Sequence, residues 1–164
     1  MPDDINDLQF VRTFDFALIP RTLLEQVKEI DSEEIDRIYT FGPMFASNPL
    51  TLLYALVDAG YKIKGVLWAE IDVIDAIIFI RLLSVNKEYQ SQNGQLLNKA
   101  KDWLFNLKTG PKLKKEIHFL TTRPGAFEKI GVRRSKRIRM EITNENSQSH
   151  TKRDNTSDTS KPTK

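Results

Sequence analysis

Residues 50–85, LTLLYALVDAGYKIKGVLWAEIDVIDAIIFIRLLSV, hold three apolar runs separated by short polar turns, and no other stretch restricts the fold as strongly. Gly60, within DAGYK, marks a turn between the first two runs. Asp72 to Asp75 separate the second from the third. Strands spaced this closely pair as consecutive hairpins and make an antiparallel meander. The third run, AIIFIRLLSV, is almost continuously apolar, as expected of a strand buried on both faces.

The flanks alternate in period. LQFVRTF reads as a first strand. PRTLLEQVKEI places Leu23, Leu24, Val27 and Ile30 on one helical stripe, with Pro20 at an early helical position. Asp31 or Ser32 then caps a second, short helix, whose first turn carries Glu33 and Glu34 where the helix dipole favours acids. FGPMFASNP, rich in chain breakers, reads as a loop. After the meander come a polar turn and a helix over 94–107, with Leu96, Leu97, Ala100, Trp103, Leu104 and Leu107 facing inward. EIHFLTT is a further strand, GAFEKIG a short helix closed by Gly131, and VRRSKRIRMEI a final alternating strand. Beyond Ile142 no large apolar residue occurs, so 143–164 is expected to be a disordered polar tail after a single domain over 1–142. This order is that of a mixed α+β domain with an antiparallel sheet and helices on its faces.

Composition narrows the function classes. A chain of 164 residues, 40% hydrophobic, suffices for one domain with a real core. Charged residues interrupt every hydrophobic run, which argues against a membrane-spanning helix, and the acidic start MPDDINDLQF does not read as a secretion signal. With no cysteine and two well-separated histidines, His118 and His150, neither thiolate chemistry nor a histidine metal centre is expected. The expectation is a cytoplasmic protein without a metal. Its net charge of +3 conceals an asymmetry. Acids crowd the first forty positions, whereas Lys112 to Arg139 is strongly basic, a distribution that attracts nucleic acid or cofactor phosphates.

Three segments resemble the GNAT superfamily of acyl-CoA-dependent N-acyltransferases. IRLLSVNKEYQ, Ile80 to Gln90, is similar to that family's fourth strand and its exit. GAFEKIGVRRSKRIRMEI, Gly125 to Ile142, is similar to its last helix and strand, and GYKIKGVLWAEID to its third strand. The resemblance spans about Leu52 to Ile142 and implies a GNAT-like α+β fold: a mixed, mainly antiparallel central sheet with helices on both faces. It also implies acetyl-CoA as co-substrate. The backbone of Leu83, Ser84 and Val85 would pair with the pantetheine arm, and Gln90, Ser91, Gln92, Asn93, Gly94 and Gln95 would receive the pyrophosphate at a helix N-terminus.

The sequence departs from the family at two points. The phosphate loop usually has glycines where Asn93 and Gln95 stand, and Gly94 lies between them; Asn93 and Gly94 still tolerate the left-handed backbone that a nest of amides needs. The helix tyrosine that many members use as general acid is replaced by Phe127. Catalytic residues are therefore left unassigned: Thr121, Thr122 and Ser135 are hydroxyls nearby in sequence, and Glu70 and Asp72 are the carboxylates at the end of the third strand. The resemblance implies direct acetyl transfer to a primary amine of a small molecule or protein, with the acidic N-terminal elements suiting a cationic acceptor. The alternative is a GNAT-shaped binding or assembly module without catalysis, contacting nucleic acid through Arg133, Arg134, Lys136, Arg137 and Arg139.

Overall fold

The computed structural model describes residues 4–90, 94–107, 116–121 and 124–136. The chain divides into two compact units, 1–134 and 135–164, and the first carries every element named below. The anticipated end of the ordered domain at Ile142, the polar tail and Arg137 onward in the final strand lie outside the described residues. Over 132–136 the backbone forms no strand.

Among the described residues, five strands, β1 (Gln9–Arg12), β2 (Thr51–Val57), β3 (Ile63–Asp72), β4 (Ile77–Val85) and β5 (Glu116–Phe119), lie in the order β1-β2-β3-β4-β5. The first three pairings are antiparallel and β4–β5 is parallel. The meander read from the sequence is thus present, and its turns are made by aspartates. Asp58 Oδ1 accepts from the amides of Lys62 and Gly60, both at 2.9 Å, which holds its carboxyl below the usual range, with Lys64 contributing. Asp72 Oδ1 accepts from Ile74 and Asp75. The left-handed positions of these turns are Tyr61 and Ala76; Gly60 does not take a positive φ.

Alternation along the strands builds two apolar layers. Leu52, Tyr54, Leu56, Leu67, Ala69, Ile71, Ile78 and Ile80 face α3 (Gln95–Asn106), which contributes Ala100 and Leu104. Leu53, Ala55, Val57, Val66, Trp68 and Leu82 face α1 (Arg21–Glu25) and α2 (Ser32–Ala46). Helices therefore cover both faces, as expected. Each fully buried Leu or Phe contributes about 1.5–3 kcal/mol.

Two helices differ from the sequence reading. α1 stops at Glu25, because Gln26 is drawn onto β4; Val27 and Ile30 still pack on the α1–α2 layer, but from turns. α2 runs fifteen residues, straight through the Gly42-Pro43 pair that reads as a loop. Its buried stripe, Ile35, Ile38, Gly42 and Ala46, seals the sheet, and this tertiary packing overrides local propensity. Gly42 has a steric role: an added Cβ would lie 2.8 Å from Cβ of the buried Phe16. Gly42→Ala is expected to destabilise the fold by about 1–2 kcal/mol in chemical denaturation, overpacking outweighing the gain in helix propensity.

Candidate acyl-donor cleft

The site begins where β5 stops. Parallel pairing joins Ile77–Ile80 to Glu116–Phe119 and goes no further, while β4 continues to Val85. Between Trp68 and Ala69 the β3–β4 register shifts, so that Arg81 has no partner across the pair: a β-bulge. Past the bulge, β4 leaves β5 behind and a cavity of about 650 Å³ opens between them. It reaches both faces of the sheet. Leu83, Leu96, Leu97 and Phe119 belong to the α3 side, and Val27, Ile30 and Leu82 to the α1–α2 side.

The backbone of β4 is oriented for use here. Asn86 N–H donates to Lys64 O at 2.7 Å. Antiparallel alternation then turns the Ser84 groups toward β3 and those of Leu83 and Val85 toward the gap. Val85 O accordingly accepts from the side-chain amides of Gln26 (2.6 Å) and Gln90 (3.0 Å). Ser84 is one of two buried polar residues in the described part; its hydroxyl donates to Leu23 O and accepts from Gln26 Nε2. This chain of bonds pins the segment after α1 over the cleft.

The other wall is the start of α3. Gly94, at φ 78°, opens the helix, and Gly94, Leu96 and Leu97 line the cavity. The first amides of an α-helix have no intrahelical acceptor, and among the described residues no side chain accepts from those of Gln95, Leu96 or Leu97. Unpaired donors at the positive end of a helix suit an anion.

Of the residues singled out from the sequence, Leu83, Ser84, Val85, Gln90 and Gly94 therefore come together on one cavity. Gln95 begins α3 with an exposed side chain, and Ser91, Gln92 and Asn93 lie outside the described residues. The Gln90 amide is already spent on Lys87 O at 3.1 Å, leaving Gly94 and the first turn of α3 as the described donors. The sequence does not reveal the 26–30 wall, because its apolar spacing continues the helical stripe, nor Arg81, because a bulge leaves no mark in an apolar run.

The chemical groups are sparse. Phe127, on α4 (Pro124–Glu128), lines the cavity edge-on to Phe119, with ring centroids 4.9 Å apart. Glu70 is bound by Arg81 Nε at 2.8 Å, and Asp72 caps its own turn; neither lines the cavity. Thr121 lines it and is engaged; Thr122 is outside the described residues and Ser135 belongs to the other unit. Trp68 and Trp103 are packed among other rings. Among the described residues no group of three or more metal-binding side chains occurs, and no helix is long and apolar enough to cross a membrane.

No protein-family model matches the chain, and no curated protein does. Solved structures do. A possible acetyltransferase from Clostridium difficile 630 superposes with a TM-score of 0.62 at 11% identity, over 83% of this chain and 95% of that one. A provisionally assigned acetyl transferase from Pyrococcus furiosus gives 0.54 at 17% identity, over 83% and 99%. The dodecameric spermidine N-acetyltransferase from Vibrio cholerae gives 0.53 at 18% identity, over 77% and 79%. The fold is that of the GNAT acetyltransferases.

Gly94 carries two constraints at once: its left-handed φ, and Ile130, whose Cδ1 would lie 2.7 Å from an added Cβ. Gly94→Ala should cost about 1–2 kcal/mol from backbone conformation alone. Thermal unfolding in an Ile130→Ala background checks this, since removing the contact leaves the backbone cost in place.

Proposed function

We propose that the protein is an N-acyltransferase that moves an acetyl group from acetyl-CoA to a primary amine by direct attack in a ternary complex. The observation that carries this reading is the splayed β4: free backbone groups at Leu83 stand beside the uncapped start of α3, in a cavity that reaches both faces of the sheet. A pantetheine arm would lie along Leu83 to Val85, using the Leu83 N–H and C=O as a strand would. The pyrophosphate would sit at Gly94 and the first turn of α3, together with the segment from Gln90. The donor then enters from the α3 face and the acceptor from the α1–α2 face, which puts the thioester where the two halves of the cavity meet. The acyl-CoA supplies a carbonyl carbon and a thiolate leaving group; the protein supplies alignment and exclusion of water. The structures it resembles are acetyltransferases, one of them a spermidine N-acetyltransferase, which supports the reaction class. A cytoplasmic setting fits this activity.

Phe127 favours a second reading, a GNAT-shaped binding module without catalysis, since a phenylalanine has no proton for the departing thiolate. Arg133, Arg134 and Lys136 are exposed, though Arg134 pairs with Glu128, and nucleic acid would be the partner of that module.

Calorimetry separates the two. Saturable acetyl-CoA binding that free CoA competes away is expected. No binding at millimolar ligand, together with DNA binding that weakens steeply with salt, would establish the module instead. Given binding, Phe127→Tyr places a hydroxyl toward the leaving group. It should raise kcat by up to about a hundredfold while leaving the acetyl-CoA dissociation constant unchanged.

A further inference from the structure

The acids of the first forty residues, which suggest a cationic acceptor, are mostly engaged away from the cleft. Arg21 holds Glu25 at 3.0 Å and Asp36 at 2.6 Å, Arg37 holds Glu33, and Asp31 caps α2. Among the described residues, the charged ones on the cavity wall are Lys28, Glu29 and Arg81, and Glu29 is itself engaged. Among the described residues the cleft is therefore bounded by two cations, Lys28 and the Arg81 that pairs with Glu70, and by one acid, Glu29.

Arg81 is the better built of them. Glu70 alternates with Ala69 and Ile71, which face α3, so Glu70 and the guanidinium it binds stand on the α1–α2 face. The bond to Glu70 uses Nε alone. The guanidinium carbon lies 4.8 Å from the Phe79 ring centroid. Held at one edge and along one face, the group keeps both Nη nitrogens without a partner among the described residues. A planar guanidinium fixed in this way is a fork for a carboxylate. Arg81 itself lines the cavity one residue beyond the last β4–β5 pair, and its guanidinium reaches back over Phe79 at the edge of the region where the thioester would lie.

We infer that Arg81 forms a carboxylate subsite, so that the acceptor is an amine that also carries a carboxylate: a free amino acid or a short peptide. Lys28, on the opposite wall, adds to the field that draws in such an anion. The inference rests on the acyltransferase reading above and names the acceptor for that same site.

The test uses the whole protein with acetyl-CoA, free amino acids and dipeptides, the carboxamide of each, and spermidine, following release of the CoA thiol. Binding of acetyl-CoA is measured in parallel by calorimetry. At least one free acid is expected to exceed its own carboxamide by tenfold or more in kcat/KM, the size of a charge-assisted pair. Arg81→Gln should raise KM for that acid at least tenfold and remove its advantage over the carboxamide, with acetyl-CoA affinity unchanged; Arg81→Lys should restore part of it. Should carboxamides or spermidine equal the best acid, or no acid react although acetyl-CoA binds, the carboxylate subsite is wrong and the acyl-donor cleft stands. Should acetyl-CoA not bind at all, both fall. The comparison of acid with carboxamide on the unaltered protein decides the matter even if the Arg81 variants fold poorly.

Discussion

A single extra residue in β4 governs most of what surrounds it. Up to Ile80, side chains at even positions face α3, as Ile78 and Ile80 do. After the bulge at Arg81 the parity reverses, so Leu82 and Ser84 turn to the α1–α2 face while Leu83 and Val85 turn to α3. Register shifts of one residue exchange the two faces of a strand wholesale. Closing the bulge would drive the Ser84 hydroxyl into the α3 layer, away from Leu23 O and Gln26, and push Val85 against the end of α1. The bulge also bends β4 away from β5, since bulges disrupt the ladder and increase local twist. The cavity, the outward Leu83 and Val85 backbone and the placement of Arg81 all follow from it.

The second constraint is the hydrogen-bond chain from Leu23 O through Ser84 and Gln26 to Val85 O. A buried hydroxyl left unsatisfied costs about 1–3 kcal/mol, so Ser84 is tolerable in the core only with these partners. In satisfying it, Gln26 ends α1 early and ties the 26–30 segment to the mouth of the cleft. Val85 O also receives Gln90, so one carbonyl is shared by the segment over the acceptor half and the segment leading to α3. The two walls of the cleft are mechanically joined there.

The sequence carried the sheet well because its signals are local. Alternation in β2 and β3, the long apolar run of β4 and the turn aspartates each lie within a few residues. The helix stripe of α3 and the cap at Asp31 were legible for the same reason, as was Gly131, where Val132 N donates to Phe127 O and Gly131 N to Glu128 O. What could not be read was decided across the fold. α2 continues through Gly42-Pro43 because Phe16 needs a neighbour without a side chain, and Phe16 is distant in sequence. α1 is cut short by a bond to a strand reached almost sixty residues later. The lining of the cleft was half visible: Leu83 to Val85 and Gly94 were named from a resemblance, but not Arg81, which a missing cross-strand partner sets apart.

Phe127 and Arg81 bear on the same chemical question from opposite ends of the cleft. In the proposed reaction, an apolar wall of Phe119 and Phe127 would give a departing thiolate no side-chain proton at that position, so the transfer would lean on a good nucleophile. Only the neutral amine attacks. At pH 7 the α-amino group of a peptide, with a pKa of about 8, is roughly one-tenth neutral, whereas an alkyl ammonium near 10.4 is neutral in about one molecule in 2,500. A short peptide would therefore bring both the carboxylate that the inferred Arg81 subsite takes and the larger share of reactive base, and a free amino acid the carboxylate alone. An acceptor of the lysine or polyamine type would need a proton acceptor that the Glu70 carboxylate, bound to Arg81 and off the cavity wall, is badly placed to provide. The same ion pair that removes Glu70 as a base fixes the guanidinium as a binding group.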